Sequence, residues 1–188
     1  MGRAKALLPL DAGETFLSHI VRTLRDADVD DVVVVVGHDA EAIVADMTRR
    51  NAAVRFALNG DFDKGQLSSL VAGLNVIDRP GVTATLVTLV DVPLLSVSTV
   101  RAVVDRYRRT RAPIVRPVAR GRHGHPVLID RALFDRFRAA DPAQGPSIVV
   151  RQHVSADSEV EVDDANAFRD VDTPDEYDRL LRDVKKPV

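Results

Sequence analysis

The segment Ala84–Ser96, ATLVTLVDVPLLS, constrains the chain more than any other: an apolar, β-branched run stops on a carboxylate, Asp91, with Pro93 just beyond. A continuous run of Val, Leu and Thr predicts a strand over Ala84–Val90 that is buried on both faces, as in a parallel sheet covered by helices. Pro93 cannot donate a ladder hydrogen bond, so the strand is expected to end there. In open α/β sheets ligands sit outside the carboxyl ends of the strands, which is where Asp91 emerges. A lone acid at that point suits a hard divalent cation such as Mg2+ held against a phosphate. It suits equally well a plain role in capping the turn.

The rest of the chain alternates in the rhythm of a βαβ protein. Helical spacing of Phe16, Leu17, Ile20, Val21 and Leu24 predicts a helix over Thr15–Asp26. Asp31–Val36 reads as a second buried strand, Ala40–Met47 as helix, Val54–Ala57 as strand, and Ser68–Ile77 as a helix capped by Ser68 or Ser69. Ser96 caps a helix to about Tyr107. Strands are expected near Ile114–Arg116, Val127–Ile129 and Val160–Val162, and helices near Ala132–Phe137 and Pro146–His153. Thr173, Pro174 and Glu176 supply a cap, a first-turn proline and a closing acid for the last helix.

A chain of 188 residues without repeat or linker is expected to form one domain, 1–188. It contains no Cys, which removes disulfides and thiolate metal sites. No apolar run has membrane-spanning length and no signal peptide is evident, so a cytoplasmic location with no membrane partner is the expectation. A net charge of −2 gives no argument for nucleic acid.

Five segments carry chemistry. In Met1–Pro9, Lys5 could meet phosphate oxygens as a point charge or be an ordinary surface lysine. In Asn59–Leu70, glycines 60 and 65 allow sharp turns before a helix start that carries Ser68 and Ser69. Asp91-Val-Pro93 is the third. Arg116–Pro126, RPVARGRHGHP, gathers Arg116, Arg120, Arg122, His123 and His125 in an expected inter-strand loop suited to a phosphorylated substrate. The two histidines with no Cys nearby make a poor zinc site. In the fifth, Asp170 and Asp172 precede the last helix, either to meet a cation or to complement its dipole. Arg106, Arg108, Arg109 and Arg111 read as a solvated helix end.

Taken together, MG-x-x-K-x-LLP, the Asn…Gly…SSL segment, LVDVPL, RP…GHPVL, the Asp141…Gly145 segment and DVDTPDEY resemble the MobA-like nucleotidyltransferases, in particular the molybdenum cofactor cytidylyltransferase branch. The resemblance implies a Rossmann-like, three-layer α/β fold of the GT-A or nucleotidyltransferase kind, with a mostly parallel sheet. It also implies Mg2+-dependent transfer of CMP from CTP to a molybdopterin acceptor, releasing pyrophosphate, with a molybdoenzyme as a further partner. By match to the motifs, Lys5 would bind NTP phosphates, Asp91 and Asp172 would hold Mg2+, and Asp170 would stand behind them. Ser68 and Ser69 would lie near the nucleoside, and Gly124, His125 and Pro126 on the acceptor side, where the cationic loop would add Arg120 to meet an anionic acceptor. In-line transfer at phosphorus needs positioning and charge neutralisation rather than a nucleophilic side chain.

The family pattern opens with a strand and a Gly-rich loop, LAAG-x-S-x-RMG, of which only Met1-Gly2 matches. The expectation is that Met1 is internal to that motif and that the start lies upstream. The alternatives are another NTP or phosphorylated acceptor, or a non-catalytic accessory protein that binds molybdopterin or a molybdoenzyme. CTP is not separated from GTP by these residues.

Overall fold

The computed structural model describes residues 4–11 and 13–184. Met1–Gly2, on which the expectation about the loop falls, lie outside them. After a 3-10 turn at Lys5–Leu7, helix α1 spans Phe16–Asp26. Its cap is a reciprocal one between Thr15 and Ser18: each side chain accepts the other's backbone N–H. Strand β1 (Val33–Val36) leads through α2 (Ala40–Arg49) to β2 (Arg55–Leu58), and α3 (Gln66–Ile77) leads to β3 (Ala84–Val87). Then follow α4 (Val97–Thr110), β4 (Ile114–Ala119), β5 (Arg122–His123), β6 (Val127–Asp130), α5 (Phe134–Arg138), α6 (Ser147–His153), β7 (Glu159–Glu161) and α7 (Pro174–Val184). Ser96 caps α4 by accepting the Thr99 N–H, and Glu176 accepts the N–H groups of Asp172 and Thr173 at the start of α7.

The strands form two hydrogen-bonded groups. β1 and β2 pair in parallel; β3, β6 and β4 form a second sheet that β5 and β7 extend along β4. β6 runs against both β3 and β4, whereas β7 runs with β4. The result is a mixed sheet in which β6 and the short β5 oppose the other members of their group. One core cluster joins α1, α2 and α4 to Val34, Val36, Leu86 and Val90; another joins α3, α5 and α6 to Val87, Ile114 and Ile129. Helices therefore cover the strands on two sides, a three-layer arrangement. Gly73 lets α3 press on Val35, whose Cγ2 would lie 3.0 Å from any added Cβ.

The strand before Asp91 differs from its expectation in two ways. It ends at Val87, and Leu89–Val92 form a turn closed by the Val92 N–H on the Leu89 carbonyl. Residues 84–91 are half-buried throughout instead of fully buried. The reason is pairing: among the described residues, β3 has a neighbour only at β6, and no strand lies between β1 and β3. Among the described residues no helix is long and apolar enough to cross a membrane.

Glu14, just before α1, accepts from Arg22 and lies 2.8 Å from His19 Nδ1; the Arg22 guanidinium holds its pKa down at about 2. A lowered carboxylate contributes stability that is complete above its unfolded pKa and disappears as pH falls through the folded value. Acid titration of stability from about pH 4.5 to 2 should therefore cost the parent on the order of 2 kcal/mol more than Glu14→Gln. Parallel unfolding curves for the two proteins across that range would remove this role.

Candidate functional site

The site is assembled by one backbone contact between distant parts of the chain. The Val171 N–H donates to the Asp91 carbonyl at 2.9 Å, and Val171 is fully buried among Leu8, Leu10, Phe16 and Leu180. Extended chain alternates its side chains, so anchoring Val171 inward turns Asp170 and Asp172 to the other side, toward Asp91. Lys5, at the start of its 3-10 turn, reaches the same place and pairs with Asp172 at 2.5 Å. Thus Asp91, Asp170, Asp172 and Lys5 come together from three separate segments.

Asp91 lies in the turn after β3 and is half-buried. Its Oδ1 is buried without a hydrogen-bond partner, as is the nearby Thr88 Oγ1. Burial, and next the charge of Asp170, push its pKa upward; Lys5 works in the opposite sense and Asp172 adds to the rise. Asp170 therefore acts on Asp91 more strongly than Asp172 does, an order that the sequence did not indicate. Among the described residues no cluster of three or more acidic, His or Cys side chains is arranged to enclose a metal by itself. The donor set still fits Mg2+, which favours oxygen ligands and commonly takes one or two carboxylates, completing its shell with water and phosphate.

His125 belongs to this group too. Its Nδ1 faces the Val87 carbonyl at 3.4 Å, which places the ring proton on Nδ1 and leaves Nε2 as an acceptor. Burial lowers its pKa against the pull of that carbonyl, Asp91 and Asp170, so the ring is neutral near pH 7. Gly124 packs directly on the segment leading to Asp170: an added Cβ would lie 2.3 Å from the Ala167 carbonyl oxygen. Pro126 follows on a cis peptide bond and is buried.

The remainder of the expected cationic loop is a β-hairpin, β4 to β5, turning at Arg120 and Gly121 with φ of 50° and 74°. Arg116 and His123 both contact Glu159 Oε1, at 3.0 and 2.8 Å, and Arg122 donates to the Phe168 carbonyl. Arg120 is exposed at the hairpin tip. So the cluster divides: His125 joins Asp91, while Arg116, Arg122 and His123 are committed to holding strands together. At the other helix end, Arg106 binds Asp157 and Arg111 lies over the Tyr107 ring.

Ser68 and Ser69 lie in the first turn of α3 and neither caps it; the cap position is Gly65, with φ 95°. The helix begins at Gln66, earlier than the serines suggested, because Gly65 turns the chain in. Buried Asn59 donates to both serine hydroxyls, a role no periodicity in the sequence could reveal. Asn59 follows β2, and α3 carries the chain from there to β3 in the other strand group.

Comparison with known proteins gives the family and the fold. Residues 1–157 match the MobA-like NTP transferase domain. The chain is 32% identical to nicotine blue oxidoreductase of Paenarthrobacter nicotinovorans over 96% of this chain and 90% of that protein. Rv0371c from Mycobacterium tuberculosis superposes with a TM-score of 0.80 at 26% identity, covering 97% of this chain and 91% of that one. A manganese complex of the same protein gives 0.76 at 27%, covering 96% and 93%.

Two variants test the geometry. Asp91→Asn removes a buried like-charge conflict, so the ligand-free variant should melt no lower than the parent and up to a few degrees higher. A fall of many degrees would assign Asp91 to the fold. Gly124→Ala should lower stability by about 1–3 kcal/mol, read from chemical unfolding, because backbone and not a flexible side chain stands in the way.

Proposed function

Because the chain belongs to the MobA-like NTP transferase family, we propose that it transfers CMP from CTP to a molybdopterin-type acceptor with Mg2+, as one catalytic domain acting in the cytoplasm, with a molybdoenzyme as the recipient of the product. The observation that carries the reading is the Asp91 carboxylate, whose Oδ1 is buried without a hydrogen-bond partner, beside Asp170, Asp172 and Lys5. The manganese complex of Rv0371c supports a divalent cation in such a fold. CTP and molybdopterin rest on the motif resemblance given above.

In this reading Asp91 and Asp172 hold the cation, with Asp170 beside them. When bound, Mg2+ supplies charge neutralisation at the α-phosphate and a template for the incoming oxygen. Lys5 leaves Asp172 and balances charge on the triphosphate. The exchange is easy, since an exposed pair of this kind is worth only about 0–1 kcal/mol. Ser68 and Ser69 lie at the nucleoside end. Gly124, His125 and Pro126 border the acceptor, and Arg120 supplies an exposed cation for its phosphate. An acceptor phosphate oxygen forms a bond to the α-phosphorus as the bond to the leaving pyrophosphate breaks. Neutral His125 offers Nε2 as a hydrogen-bond acceptor without adding charge.

The likeness to nicotine blue oxidoreductase favours one other reading, an oxidoreductase on the same scaffold acting on nicotine blue. The test is incubation of the purified chain with CTP, GTP or ATP, Mg2+ and molybdopterin, following pyrophosphate and the nucleotide adduct. Adduct formation with CTP, lowered about 10²-fold or more by Asp91→Asn, is the expected result. Arg120→Ala and His125→Ala should weaken acceptor use more than CTP use. Redox turnover of nicotine blue without pyrophosphate release would replace the transferase reading.

A further inference from the structure

Asn59 follows β2 and is 5% exposed. Its side-chain oxygen accepts the Asp61 N–H at 2.9 Å. A backbone N–H can only donate, so this contact fixes the amide's orientation and turns its NH2 group to Ser68 Oγ at 2.9 Å and Ser69 Oγ at 3.0 Å. An NH2 group can only donate as well, so both hydroxyl oxygens are acceptors at Asn59. The two serines then part ways. The Ser68 proton has carbonyl oxygens of Asp61 and Gly65 at 2.8 Å each. The Ser69 proton has no acceptor among the described residues, and the side chain is half-exposed.

We infer that Asn59 is a positioning residue that locks the Ser69 hydroxyl as an outward hydrogen-bond donor and withdraws Ser68 from direct ligand contact. The inference rests on the nucleotide reading above and deepens it: Ser69 reads an acceptor atom on the base and disfavours a donor at that point. A cytosine ring presents acceptors at O2 and N3, whereas uracil carries a proton on N3.

Asn59→Asp tests this by reversing the hydrogen bonds with little change of shape. A carboxylate still accepts from Asp61 but also draws the Ser69 proton inward, leaving only lone pairs facing the ligand. Calorimetric binding of a non-hydrolysable CTP analogue should weaken about tenfold, the effect of one mismatched buried hydrogen bond. Tripolyphosphate, which has no base, should change less than about twofold. In a Ser69→Ala background the Asn59→Asp substitution should add no further loss. Ser69→Ala alone should weaken the analogue several-fold more than Ser68→Ala, a comparison that stands even where Asn59→Asp fails to fold.

Equal weakening of tripolyphosphate and the analogue would mean simple charge repulsion and overturn the assignment. So would a loss that persists without the Ser69 hydroxyl, or a Ser68→Ala effect as large as that of Ser69→Ala. A parent protein that binds tripolyphosphate as well as the CTP analogue loses the nucleoside reading itself. One whose CTP preference survives Ser69→Ala loses only the assignment made here.

Discussion

The hydrogen bond from Val171 to the Asp91 carbonyl is the contact on which the cleft depends. It joins the turn after β3 to a segment eighty positions later and does so through backbone, so that neither flanking carboxylate is used in the join and Asp172 pairs with Lys5. The side chain between them makes the arrangement possible. Val171 is fully buried against Phe16 and Leu180, so the D-V-D alternation has one stable orientation. A one-residue slip would bury two acids and expose a valine, at a cost far above that of any surface ion pair.

That anchoring creates an electrostatic conflict which the fold alone would avoid. Three carboxylates converge where burial already raises the pKa of one of them, and only Lys5 offsets the charge. Buried polar atoms without partners are uncommon in folded proteins, yet Asp91 Oδ1 and Thr88 Oγ1 both lack one near this edge. Such local strain, concentrated at the carboxyl end of a strand, is what a site for a cation and a polyanion requires.

Much of this was legible in the chain because the signals are local. The Ser96 cap and the Thr173–Glu176 box each sit within one helical turn and occur where expected. The apolar run ending on Asp91 located the start of β3 but not its end or its burial, since these depend on neighbours that sequence pattern does not reveal. The cationic loop failed for the same reason. Arg120-Gly121 is a hairpin turn hidden in an arginine-rich stretch, and Glu159, which binds both Arg116 and His123, lies on a different strand far along the chain. Asn59 stood in a segment singled out by the sequence, but its bonds to two hydroxyls nine and ten positions away were not legible there.

The exposed Lys5–Asp172 pair and the buried Asn59 amide show how one fold can combine exchange with fixed geometry. Side chains that meet mobile charge are weakly paired and partly solvated, so a phosphate or a cation can replace one partner by the other at small cost. Groups that define the direction of a hydrogen bond are buried and saturated, with Asn59 using both its donors and its acceptor. Swapping these roles would fail on both counts. A buried Lys–Asp pair would resist release, and a solvated amide would let the Ser69 hydroxyl turn either way.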